Sequence, residues 1–118
     1  MLSRKTSSEV GVGMSLESDA RDCLIEAVRE DTGLILTPGQ LETVKPGKDL
    51  QYDDGFAWLH TLDIAVSCLR DRGHVVRNAD RVNAGKLLSE FLTASVRYLV
   101  GLGRNPAQRL GTVRRGMP

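Results

Sequence analysis

Over residues 79–102 apolar side chains recur so broadly around a helical repeat that one neighbouring element cannot cover them. Leu88, Leu92, Ser95, Leu99 and Leu102 fall on one line of a helix, Ala84, Leu87, Phe91, Ala94 and Tyr98 on a second, and Val96 and Val100 widen the arc. A helix that faces a single neighbour needs an apolar arc of about 100°. Residues 53–72 behave in the same way, with Trp58, Leu62, Ala65 and Leu69 on one line and Phe56, Leu59 and Val66 beside it. Two such helices need a third element to cover them. Only 4% of the residues are aromatic, so the core is built chiefly from Leu, Val, Ile and Ala.

In chain order, residues 1–14 are Ser-, Gly- and charge-rich without periodicity and read as a disordered arm. Ser15 has the chemistry of an N-cap, and Leu16, Ala20, Cys23, Leu24, Ala27 and Val28 follow at helical spacing up to a stop at Gly33. The run Leu34-Ile35-Leu36 is either a strand or a segment packed on the helices. Pro38 and Pro46 break anything helical between them, and each precedes a glycine, which suits a turn with positive φ. Asp53 or Asp54 caps the second helix, Gly73 ends it, and Asn78 or Asp80 caps the third. The expected fold is all-α: a short leading helix, an extended Pro/Gly segment and a two-helix antiparallel hairpin, completed as a homodimer that covers the remaining apolar surface. Residues 15–103 form the single helical domain and 104–118 a flexible basic tail.

The formal net charge is +1, but it is unevenly spread. Residues 104–118 carry Arg104, Arg109, Arg114 and Arg115 and no acid, whereas residues 15–103 hold ten basic against fourteen acidic side chains. An acidic body argues against a general nucleic-acid binder. Cys23 and Cys68 lie in predicted helices at no motif spacing and read as free buried thiols. The first residues lack a signal-peptide pattern and no apolar run suits a membrane span, so a reducing, cytoplasmic setting is expected. His60 and His74 are far apart in sequence, and no metal, cofactor or catalytic residue is expected. A helix-turn-helix is disfavoured because the third helix is apolar rather than basic.

The run Val44-Lys45-Pro46-Gly47, followed by Asp53/Asp54 and Leu59, Leu62, Ala65 and Leu69, resembles small pseudomonad-type proteins that place a V-x-P-G turn before a helical hairpin. The order of leading helix, extended segment and two helices is similar to the QslA group of small quorum-sensing antiactivators. That resemblance implies a dimeric helical protein, not an enzyme, that binds the ligand-binding domain of a LuxR-type transcription regulator and blocks its dimerisation and DNA binding. The alternative is a small nucleic-acid-associated regulator using the Arg-rich tail. From the residues themselves, the partner surface is expected on Leu24, Ile25, Val28, Leu34, Ile35 and Leu36, an aliphatic set rimmed by charges. Leu88, Phe91, Leu92 and Leu99 are expected in the core or the dimer interface.

Overall fold

The structure is a computed structural model and describes residues 12–104. Among these the regular structure is entirely helical: α1 (Val12–Thr32), a 3-10 turn (Pro38–Glu42), α2 (Gly55–Asp71), α3 (Arg81–Leu87) and α4 (Leu92–Gly103). Helix α1 begins at Val12, so Ser15 lies inside it and does not cap it. Gly13 is a poor helix residue, and nothing in the described structure explains the additional turn. The rest of the predicted arm and the basic tail after Arg104 lie outside the described residues.

The start and stop signals at Gly33, Gly73, Asp54 and Asp80 hold. Gly33 and Gly73 take the positive φ that ends α1 and α2 (81° and 97°). The Asp54 carboxylate accepts the N–H groups of Phe56 and Ala57 and caps α2, and Asp80 accepts the N–H of Asn83 and caps α3. The Leu34–Leu36 run forms no strand. Gly39 and Gly47 keep ordinary φ, contrary to the expected positive-φ turns. Gly39 lies in the 3-10 turn, whose start is fixed by the Thr37 N–H donating to Gln40 Oε1 (2.7 Å).

The predicted long third helix is two helices. In a continuous helix the Leu92 N–H would donate to the Leu88 carbonyl. Here the segment Val44–Gly47, which enters a turn at Pro46, bonds to both. Gly47 N–H donates to Leu88 O (3.0 Å), and Leu92 N–H donates to Val44 O (3.1 Å). Phe91 opens to an extended conformation as the residue before α4. The crossing is close: a Cβ on Gly47 would lie 2.8 Å from Leu88 O. Pro46, at the centre of the crossing, is buried.

Helices α1 and α2 form an antiparallel pair. Asp19 meets Arg72, Cys23 meets Cys68 and Asp31 meets Thr61, so contacts advance along α1 as they retreat along α2. Helix α4 packs on α1 as well, with the Leu16 side chain against Gly103. The leading helix is therefore the middle of the molecule. Its Ala20, Cys23, Leu24, Ala27 and Val28 are buried with Trp58, Leu62, Ala65 and Leu69 of α2 and Leu92, Val96 and Leu99 of α4. The wide apolar arcs that called for a second chain are covered largely within this one.

Candidate interaction surface

Three tethers hold α1 against α2, and they absorb the chemically distinctive residues. At one end Arg72 donates to Asp19 Oδ1 (2.8 Å) and His74 Nε2 to Asp19 Oδ2 (2.7 Å). Partial burial pushes the Asp19 carboxyl up. The hydrogen bonds and charges of His74 and Arg72 outweigh it, so its pKa lies below the ordinary carboxylate value. One helical turn further along both helices, Cys23 and Cys68 form a disulfide, with their Cα atoms 5.6 Å apart. This overturns the expectation of free thiols. Residues 45 apart in sequence are brought together by helix register, which spacing alone does not reveal. At the far end Tyr52 donates to Thr61 Oγ1 (2.5 Å), and Thr61 donates to the Asp31 carboxylate. Burial raises the Tyr52 hydroxyl to about 12, and the carboxylate of Asp31 adds to the effect.

Near α4, Asp80 accepts the backbone and side-chain N–H groups of Asn83, which hold its pKa low. Its own N–H donates to Tyr98 Oη (2.9 Å), and partial burial raises the Tyr98 hydroxyl. These groups cap and clamp helices. Among the described residues no three His, Cys, Asp or Glu side chains gather as a metal site. No described helix is long and apolar enough to cross a membrane.

The exposed apolar residues coincide only in part with the surface the sequence suggested. Leu24, Val28 and Leu36 are buried in the core, because α1 lies between α2 and α4, and Ile25 is half-buried. Of the expected surface only Leu34 and Ile35 are exposed, Ile35 to 72%. Leu92 and Leu99 belong to the core and Leu88 is half-buried. Phe91 is exposed, since it sits at the corner where α4 begins.

The corner of α2, α3 and the crossing segment carries the features of a contact surface. Gly55 and Gly85 meet so closely that a Cβ on Gly55 would lie 2.5 Å from Gly85 Cα. This contact carries Phe56 (64% exposed) and Val82 (68% exposed) on adjoining turns of α2 and α3. The Arg81 guanidinium lies 5.1 Å from the centre of the Phe56 ring. Gly85 also lines an open cleft of about 390 Å³, with Lys45, Tyr52 and Leu88 among its walls. At its edge the Lys45 ammonium stands 5.1 Å from the centre of the exposed Phe91 ring. Two exposed aromatic rings are thus each faced by a cation, and one of those cations, Lys45, lines the cleft. Sequence reasoning missed Phe56 because helical periodicity assigns it to a widened apolar arc without saying which edge of that arc stays wet, and it gave Val82 no role. No family model, curated protein or solved structure matches this chain.

Proposed function

We propose that this chain is a protein-interaction regulator that docks a partner at the corner formed by α2, α3 and the Val44–Gly47 crossing. One observation carries the reading: Phe56, Val82 and Phe91 are exposed, Arg81 and Lys45 face the two aromatic rings, and Lys45 also lines the open cleft beside Gly85. Interfaces concentrate their binding energy in aromatic and arginine residues around a pocket with a polar rim. The similarity of the element order to the QslA group of antiactivators supplies the partner class. It is a LuxR-type transcription regulator, whose dimerisation and DNA binding this protein blocks as an antiactivator.

The test mixes the full chain with the ligand-binding domain of such a regulator and follows complex formation by size-exclusion chromatography and DNA release by gel shift. Phe56→Asp and Phe91→Asp should abolish the complex while leaving the thermal midpoint within a few degrees, since both side chains are exposed. Ile35→Asp should still bind. If Ile35→Asp alone removes binding, the surface is the Leu34–Ile35 edge. Complex formation that weakens steeply between low and moderate salt, with nucleic acid in place of the regulator, would instead favour the Arg-rich tail.

A further inference from the structure

The disulfide between α1 and α2 is asymmetric. Cys23 is fully buried, within a face of α1 that also holds Ala20, Leu24 and Ala27. Cys68 is only partly buried, at the margin of the core, and it is flanked on α2 by the exposed Ser67 and by Asp71 and Arg72. Thiol–disulfide exchange requires a thiolate to approach a sulfur, and the rate depends on which sulfur can be reached. The two ends of this bond are therefore not equivalent to an external reagent.

We propose that Cys68 is a thiol–disulfide exchange site, and that the bond is a latch between α1 and α2 opened from that side by dithiol reductants. The thiolate of the reductant attacks Sγ of Cys68. The Cys23–Cys68 bond breaks, and its electron pair leaves on Sγ of Cys23, which takes up a proton in the apolar core. The second thiolate of the reductant then attacks its own sulfur in the mixed disulfide and expels Cys68 as a thiolate, which takes up a proton from solvent. The protein gains two electrons and two protons, and the dithiol becomes its cyclic disulfide. A monothiol can complete the reaction only through a second molecule, so the mixed disulfide on Cys68 is longer-lived. Arg72, one turn beyond Cys68, is held by Asp19 (2.8 Å) and lies 3.5 Å from Asp22, so the ion pairs beside the latch keep α1 and α2 in register once the bond is open.

The experiment treats the oxidised full chain with reduced glutathione under native conditions, quenches in acid and maps the adduct by mass spectrometry. Cys23→Ala and Cys68→Ala serve as a second measurement, in which the remaining thiol of each folded variant is labelled with iodoacetamide. The glutathione adduct should be found on Cys68, and Cys68 in Cys23→Ala should be labelled at least tenfold faster than Cys23 in Cys68→Ala. Adducts shared equally between the cysteines would overturn the proposal. So would a reduction rate that matches global unfolding across a denaturant series, or a chain that keeps two free thiols after incubation with oxidised glutathione.

Discussion

Reducing the Cys23–Cys68 bond is the perturbation whose size follows most directly from the fold. The cross-link joins residues 45 apart. Closing a loop of that length in the unfolded chain removes about 13 cal/mol/K of entropy, which corresponds to about 4 kcal/mol of stability at 25 °C. For a domain of this size that should lower the thermal midpoint by roughly 15–25 °C. Reduction is a cleaner perturbation than substitution because both sulfurs stay in place and no cavity opens at the buried Cys23. The assay is urea unfolding of the oxidised protein and of the protein held in excess dithiol, followed by circular dichroism. The reduced form should still fold, because the buried faces of α1, α2 and α4 and the Asp19 and Asp31 tethers do not depend on the bond. Two forms whose unfolding free energies agree within about 1 kcal/mol would refute the reasoning, since the cross-link would then constrain nothing that the unfolded chain explores.

The remaining predictions probe the core and its clamps. Leu99→Ala should cost about 2–5 kcal/mol, whereas Phe91→Ala should cost far less in urea unfolding, because Leu99 is buried and Phe91 is exposed. Gly55→Ala should destabilise by about 1–3 kcal/mol in the same assay, because its Cβ would press on the backbone of Gly85. Thr61→Val should cost about 1–3 kcal/mol by leaving the Tyr52 hydroxyl and the Asp31 carboxylate without their shared partner. Asp19 has a folded-state pKa below its unfolded value, so its stabilisation is present above the unfolded value and is lost as pH falls through the folded one. The midpoint of Asp19→Asn should therefore fall less than that of the parent on acidification below about pH 4.

Much of this fold was legible where the controlling chemistry is local. Gly33, Gly73, Asp54 and Asp80 act within one turn of their own positions, so their residue types suffice to place helix ends. The break between Leu88 and Leu92 was not legible. No proline or glycine lies between them, and the bend exists because Val44 and Gly47 take the two halves of one helical hydrogen bond. The cysteine pairing was hidden for a related reason, since it depends on the register of two helices that the sequence does not align. The placement of α1 followed from its charge. The charged rim of α1 suggested an outward-facing aliphatic surface, but an exposed charged stripe leaves the opposite face free to be buried on two neighbours. The candidate surface was harder still, because exposed Phe56 and buried Trp58 lie two residues apart on the same helix.

The crossing of Val44–Gly47 through the α3–α4 corner also bears on the order of folding. A continuous helix would satisfy Leu88 and Leu92 locally and early, but here each waits for a segment more than forty residues upstream in the chain. Bonds of that sequence separation form only after the entropy of closing the intervening loop has been overcome. The corner therefore needs a loop closure that a continuous helix would not, and on that ground it is expected to assemble late. φ-value analysis at Gly47 decides the point: a value near zero accords with late assembly, and a value near one would show that the corner nucleates the fold.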